Sequence, residues 1–192
     1  MIRRIVLGWA VLAAIGTYRG CSSAALPPGP DASGLARVRA THFPVRVGVE
    51  KYRYPIYSDR LVASLSRTHL FDGVDSLERL RNPELTARVE RTVYGTATIP
   101  IWTALTLGVV PTTVTEEWGE VFSLRRTGTE TPAVGVDFTY RGPSTLGFAA
   151  AIRSLSPSVT TADPRTTSRF RDAFSVAICS KSTEIEGLLP RQ

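Results

Sequence analysis

Cysteine and histidine, which carry much nucleophilic and metal chemistry, occur only twice each in this sequence, as Cys21, Cys179, His42 and His69. Neither histidine has a second histidine or cysteine three or four residues away, so the sequence does not indicate a zinc site. Cys179 lies in the apolar stretch AFSVAICSK, which favours a small buried residue over a nucleophile. Nucleophile-elbow, phosphate-loop and dinucleotide-binding patterns are missing. We therefore expect no catalytic residue, no cofactor, no metal site and no enzyme activity.

The first 20 residues have the pattern of an export signal. A basic start, MIRR, is followed by the apolar run IVLGWAVLAAIG at residues 5–16. This run is short for a membrane-spanning helix and typical of a secretory signal peptide. We predict that residues 1–20 are a signal peptide; the alternative is a permanent N-terminal anchor.

Cys21 is the predicted lipid attachment site. The leader resembles bacterial lipoprotein signals, in which a small residue such as Gly20 precedes the modified cysteine. Ser22 resembles the residue that directs Gram-negative lipoproteins to the outer membrane. Each buried methylene contributes about 0.8 kcal/mol, and two or more acyl chains anchor a protein stably. The expected partner is thus a bacterial membrane, at the periplasmic face of the outer membrane.

A different processing site remains open. Tyr18 and Arg19 stand where lipoprotein signals usually have an aliphatic and a small residue. Cleavage after SAA would release a free periplasmic or secreted chain that begins near Leu26. The stretch SSAALPPGPDASG favours the lipid anchor, because its composition is that of a flexible spacer. We predict a flexible tether over residues 21–41.

The rest of the chain has the composition of a globular protein. Hydrophobic residues make up 43% of the 192 residues, and charged residues 21%. The net charge of +6 falls to +3 when the three arginines before Cys21 are removed. No dense basic run remains, so we expect no nucleic-acid partner. We predict a single domain over residues 42–192.

The first half of this domain begins with a strand and a helix. Val45, Val47 and Val49 alternate with polar residues or glycine, which predicts a strand with one buried face. Ser58 is the predicted N-cap of a helix over YSDRLVASLSRTHLF at residues 57–71, with His69 near its end. The stretch FDGVD at residues 71–75 is interpreted as a helix stop.

The next segment is ambiguous. Asn82 and Pro83 suit the first positions of a helix, whereas RVERTVYG at residues 88–95 is equally typical of a strand. Residues 92–115 contain no charged residue, but their prolines, glycines and threonines argue against a membrane span. They are expected to form buried strands or a core-covering loop. The alternative is a partner or membrane contact through Ile101, Trp102, Leu105 and Leu107.

The second half predicts a β-hairpin and a helix. Residues 116–126 and 131–142 alternate in polarity around the polar turn RTGTETP. Adjacent Glu116 and Glu117 would point to opposite faces of a strand and so cannot act as a facing pair. The last helix is predicted to begin at Asp163 as N-cap, with Pro164 next and an apolar face around Phe170.

The order of these features resembles that of a group of poorly characterised bacterial lipoproteins. The resemblance rests on YSDRLVASLSRTHLFDGVD at residues 57–75 and the uncharged ALTLGVVPT at residues 104–112. The part over residues 43–145 is also similar to the N-terminal α/β domain of the Tol translocation protein and related assembly lipoproteins. The resemblance implies a small sheet-and-helix fold and an envelope location. It carries over no functional residues.

Together these patterns predict an α+β protein with a mixed or mostly antiparallel sheet and two or three helices on one face. The expected function is a non-enzymatic envelope component that binds another protein. Two alternatives remain at this point: a carrier of a small apolar or lipid ligand, and a membrane-inserting pore component that uses residues 92–115.

Overall fold

The structure, a computed structural model, describes residues 22–93, 112–146, 159–160 and 163–189. The chain divides into two compact units. We call them the major unit (Pro28–Tyr94, Trp118–Tyr140 and Thr167–Gln192) and the minor unit (Met1–Pro27, Gly95–Glu117 and Arg141–Thr166). The sequence did not predict this division of the chain.

The major unit contains four helices and three complete strands. The helices are α1 (Ala32–Ala40), α2 (Pro55–Thr68), α3 (Ser168–Cys179) and α4 (Ser182–Glu186). The strands are β2 (Phe43–Val49), β3 (Phe71–Ser76) and β4 (Leu85–Val93). Two long strands, β5 (Thr112–Arg126) and β6 (Ala133–Leu146), contribute residues to both units. The minor unit also contains β1 (Ser22–Ala25), β7 (Val159–Thr160) and a 3-10 turn (Pro164–Thr166).

The sheet is mixed, as the sequence predicts. In the major unit its order is β3-β2-β4-β5-β6, with β2 parallel to both β3 and β4 and β4 antiparallel to β5. In the minor unit the order is β5-β6-β1-β7, and β1 is antiparallel to both of its neighbours. The predicted α+β class is confirmed.

The core of the major unit lies between the sheet and helices α2 and α3. Val47 and Val49 on β2 are at most 1% exposed, as their period-2 spacing predicts. Leu61 and Leu65 of α2 are fully buried four residues apart. From α3, the ring of Phe170 meets that of Phe138 edge to face, with centroids 5.2 Å apart. Burial of such side chains contributes roughly 1.5–3 kcal/mol each, which makes this interface the main source of stability.

Helix α2 begins earlier than the sequence predicts. Pro55 occupies the first helical position and Tyr54 is the N-cap residue, so the prediction of Ser58 as N-cap is wrong. The Ser58 hydroxyl lies inside the helix and donates to the Pro55 carbonyl oxygen at 2.9 Å. Proline is favoured in the first turn because its fixed φ suits the helix. The N–H groups of the first turn have no acceptor within the helix, so proline loses no hydrogen bond there. The helix ends before FDGVD: Thr68 is its last residue, and His69 caps it with a left-handed φ of 55°, so only the predicted place of His69 at the helix end is confirmed.

Residues 71–75 form a strand rather than a helix stop. They belong to β3, which runs parallel to β2. Phe71 is buried and stacks on Phe43 of the neighbouring strand, with ring centroids 5.3 Å apart. The helix actually ends at His69, so Asp72 and Gly73 are free to enter the sheet.

The helical interpretation of residues 81–95 is also wrong for the part that the structure describes, which ends at residue 93. Asn82 has a φ of 50°, whereas an N-cap residue needs an extended backbone. The chain then continues as β4, paired with β2 on one side and β5 on the other. The strand alternative for residues 88–95 is therefore confirmed as far as Val93, where β4 ends.

The predicted tether contains regular structure. Within residues 21–41 the structure has strand β1 and helix α1. Asp31 caps α1 by accepting from the Gly34 N–H at 2.7 Å and from the Ser33 hydroxyl at 2.9 Å. These bonds hold the pKa of the Asp31 carboxyl below its usual value. Because α1 packs against α3, residues 32–40 are part of the major unit and not a free spacer, whereas β1 belongs to the minor unit.

The start of the last helix is shifted as well. Asp163 accepts from the Arg165 N–H at 3.0 Å and so caps the 3-10 turn that begins at Pro164. Helix α3 has a cap of its own, because the Thr167 hydroxyl accepts from the Phe170 N–H at 3.2 Å. The predicted apolar face of α3 is confirmed, since Phe170, with Phe174 and Ile178, is at most 1% exposed.

Residues 77–84 cross β2 on the face opposite the helices, and we call this segment the crossover. The Leu77 N–H donates to the Val49 oxygen at 2.8 Å, and the Glu84 N–H donates to the Arg46 oxygen at 3.1 Å. Between these ends the crossover lies directly on Gly48. A Cβ atom on Gly48 would sit 2.7 Å from Leu77 Cδ1 and 3.0 Å from Pro83 Cγ. This position therefore requires glycine.

We expect Gly48→Ala to destabilise the protein by about 1–3 kcal/mol, because the rigid Pro83 ring cannot move away from the added methyl group. Urea unfolding followed by circular dichroism measures the change. Gly135→Ala is the matched control: Gly135 also lies in a strand, and its Cβ position has no neighbour within 4 Å. Equal stability of the two variants would contradict the close packing of the crossover.

Candidate functional site

The contact residues predicted from the sequence lie outside the described part of the chain. This applies to the lipidation site Cys21 and to Ile101, Trp102, Leu105 and Leu107, so their prediction is untested. In the ranges that the structure describes, no helix combines the length and the apolar character needed to cross a bilayer. Nor do three His, Cys, Asp or Glu side chains group as metal ligands among these residues.

Four titratable residues considered from the sequence have defined surroundings in the structure: Cys179, His42, Glu116 and Glu117. Cys179 is buried, and loss of solvent raises the pKa of its thiol. His42 Nε2 lies 2.9 Å from Asp72 Oδ1, and both side chains are about half exposed. The adjacent acids point apart, as predicted: Glu116 is buried and accepts from the Ser144 hydroxyl, whereas Glu117 Oε2 lies 3.1 Å from Arg141 Nη2.

The most exposed apolar side chains follow the end of β2. Tyr54 is 53% exposed and Ile56 is 52% exposed. Among the described residues, these are the large hydrophobic side chains that are more than half exposed to solvent. Both belong to the stretch KYRYPIY at residues 51–57. In the sequence, this stretch continues the strand pattern of residues 45–50 with aromatic residues as far as Pro55; in the structure, β2 ends at Val49 and α2 begins at Pro55. The available signal was its composition, since three tyrosines and two cations around a proline are typical of contact surfaces.

The aromatic side chains of this stretch contact one another. The Tyr57 ring lies 5.8 Å from that of Tyr52 and 5.8 Å from that of Tyr54. The Arg53 guanidinium lies over the Tyr54 ring at 5.6 Å from its centroid. Pro55 fixes the backbone between them at the start of α2. Exposed apolar surface is therefore presented by a pre-ordered group of rings, which lowers the entropy cost of binding.

The crossover lies beside this aromatic group. Lys51 Nζ is 3.7 Å from Glu78 Oε1, which brings the two segments together at the same end of β2. Arg79 and Arg81 follow Glu78 and are exposed. We call residues 51–57 together with residues 78–81 the basic aromatic surface.

Positive charge predominates on this surface. Across the described residues, no carboxylate forms an ion pair with Arg53, Arg79 or Arg81. The acid Glu78 is matched by Lys51. Three arginine side chains are thus available for carboxylates or other anions outside the chain.

A small group of polar contacts holds the end of the crossover. Glu84 Oε2 accepts from the Arg46 N–H at 2.8 Å, and Arg46 Nη2 donates to the Asn82 carbonyl oxygen at 2.9 Å. The hydrogen bond from the Arg46 N–H is the main reason that the pKa of Glu84 lies below its usual value. These contacts fix the backbone that follows the exposed arginines.

A cavity of about 300 Å³ adjoins the same end of β2. Its walls include Glu50 and Leu77, which directly precede the two halves of the basic aromatic surface. Glu50 is paired with Arg125, and the Thr86 hydroxyl lies 2.9 Å from that of Thr127. The cavity wall also includes Glu130, so it presents a carboxylate as well as threonine hydroxyl groups.

The geometry of this region is suited to binding. Aromatic rings, arginines and a shallow polar cavity are the usual components of a protein interface. Comparison of the chain with protein-family models and with curated protein sequences finds no match.

We expect Glu84→Gln to lower stability at neutral pH and to have a smaller effect in acid. The pKa of Glu84 is lower in the folded chain than its usual value of 4.5. Its stabilising contribution is thus complete above pH 4.5 and is lost as pH falls through the lower folded pKa. Urea midpoints of both chains, measured from pH 7 downward, test this. Glu186→Gln, at an exposed residue of α4, is the control; a pH-independent effect of Glu84→Gln would contradict the expectation.

Proposed function

We propose that this chain is an exported envelope protein, anchored by lipid at Cys21 to the periplasmic face of the outer membrane. It acts there as a non-enzymatic component that binds another envelope protein. The basic aromatic surface is the docking site. The observation that carries the proposal is the half-exposed Tyr54–Ile56 pair, held in an ordered group of tyrosines beside arginines.

The composition of this surface supports protein binding. Tyrosine and arginine are enriched among the residues that dominate binding energy in protein interfaces. Single exposed apolar residues are common on protein surfaces, whereas here they occur together with tyrosine rings that contact one another. The tyrosine rings contribute apolar area, while their hydroxyl groups remain able to bond to a partner.

The other parts of the proposal come from the leader. Its basic start, short apolar run and Gly20-Cys21 pair support export and lipid attachment. The resemblance to envelope lipoproteins agrees with this address. The cavity beside Glu50 is lined mostly by polar and charged residues, so it offers no support for an apolar ligand carrier.

The intact mass of the mature N-terminus tests the anchor. We expect a chain that begins at Cys21 and carries a diacylglyceryl group, recovered in the membrane fraction of the native host. Cys21→Ser should shift the protein to the fraction without membranes. A lipid-free chain that begins near Leu26 would overturn the anchored part of the proposal.

Site-directed photo-cross-linking tests the docking site. A benzoylphenylalanine placed at Tyr54 should give one discrete protein adduct in the native host. The same group at Ala133, an exposed residue at the start of β6, is the control and should give none. Tyr54→Ala combined with Ile56→Ala should reduce co-purification of that partner, because the exposed apolar area is lost. The free energy of unfolding of this double variant, measured by urea unfolding, should change by less than about 0.5 kcal/mol, since both side chains are at the surface.

A further inference from the structure

We infer that the partner of the basic aromatic surface is a protein with a carboxylate-rich patch. This inference rests on the proposed function, because it specifies the chemistry of the partner at that same site. It follows from three features of the surface: its unpaired arginines, its fixed backbone and the character of the neighbouring sheet edge.

The arginines determine the sign of the partner. Arg53, Arg79 and Arg81 find no carboxylate among the described residues. Arginine presents a planar set of donors that matches a carboxylate with two parallel hydrogen bonds. Charge complementarity of this kind also speeds association and excludes partners of the same sign. Three such groups on two adjoining segments, one of which carries two exposed apolar side chains, fit an acidic patch that also contains apolar residues.

The backbone that carries these arginines is already held in place. The Arg79 N–H donates to the Ser76 oxygen at 3.0 Å, and the Asn82 oxygen accepts from Arg46 at 2.9 Å. On the other segment, Pro55 begins helix α2 directly after Tyr54. Docking therefore costs the entropy of side chains and little entropy of the main chain.

The adjacent edge of the sheet does not favour strand addition. The outer strand β3 carries Asp72 and Asp75, which would repel an acidic segment. At the end of β3, the Ser76 N–H donates to Asp75 Oδ1 at 2.6 Å, and the Ser76 oxygen accepts from the Arg79 N–H. Because these two groups of Ser76 are already bonded, they are not available to an added strand. Recognition is left to the side chains of the basic aromatic surface.

A protein fits this surface better than an anionic bilayer does. The acid Asp59 is exposed and lies three residues after Ile56 in helix α2. A bilayer of anionic lipids presents one sign of charge and would repel this carboxylate. A protein patch can place a cation opposite Asp59 and carboxylates opposite the arginines.

Charge reversal of the arginines provides the test. The chain with the photo-cross-linker at Tyr54 is prepared with Arg53→Glu, Arg79→Glu and Arg81→Glu combined. We expect the yield of the Tyr54 adduct to fall by roughly tenfold or more, since like charges now face each other. Arg88→Glu, at an exposed arginine of β4, is the control for the change in charge and should leave the adduct unchanged. Mass spectrometry of the adduct should locate the cross-link in a segment rich in Asp and Glu.

Binding of the purified partner should also weaken as sodium chloride is raised from about 50 to about 300 mM, because salt screens exposed charges. An adduct that survives charge reversal, with affinity independent of salt, overturns the acidic-partner inference and leaves the docking site intact. Failure of Tyr54 to give any adduct overturns the proposed function itself. Vesicles of phosphatidylglycerol and phosphatidylethanolamine identify the competing case. If these vesicles bind the Cys21→Ser chain but do not bind the same chain with all three arginines changed to glutamate, the basic aromatic surface contacts membrane and the inference is wrong.

Discussion

The contact between the crossover and Gly48 is the constraint on which the major unit depends. Strand β2 is parallel to both of its neighbours, so the chain must pass from β3 over β2 before it can form β4. Only eight residues make this passage, too few for the helix that usually connects parallel strands. The passage is feasible because Gly48 has no side chain where Leu77 and Pro83 rest.

This passage also explains why two unrelated segments meet. It starts and ends beside β2, and it places Glu78 next to Lys51. The residues on either side of that pair are the tyrosines and arginines of the basic aromatic surface. A feature needed for chain topology thus assembles a surface suited to recognition. The buried face of β2 packs the core, and its C-terminal end presents the contact groups.

Prediction from sequence succeeded where a local pattern and tertiary packing agree. The alternation of Val45, Val47 and Val49 identified a strand because every second side chain enters the core. It failed where two local signals compete. Asn82 and Pro83 suit a helix start, yet the left-handed φ of Asn82 and the bonds made by Glu84 direct the chain into β4. Non-local hydrogen bonds decided this outcome, and no window of sequence contains them.

The candidate surface was less predictable than the fold. Tyr54 and Ile56 look like core residues in the sequence, and their exposure depends on where α2 begins and which face it buries. The arginines of the crossover are 26 or more positions away along the chain from Arg53. Their proximity follows from the parallel pairing of β2, which composition and periodicity do not encode. The residues predicted for contact, around Trp102, remain an untested alternative.

The burial of Cys179 protects its thiol in the compartment outside the cytoplasm that is proposed for this protein. Compartments outside the bacterial cytoplasm favour disulfide formation, and a lone thiol there is exposed to mixed disulfides and to stepwise oxidation. Both reactions begin with a thiolate that solvent and oxidant can reach. Helix α3 keeps this sulfur out of water, and burial raises its pKa, so the thiol remains protonated. The folded chain can thus carry one unpaired cysteine through an oxidising space without being trapped as a covalent dimer.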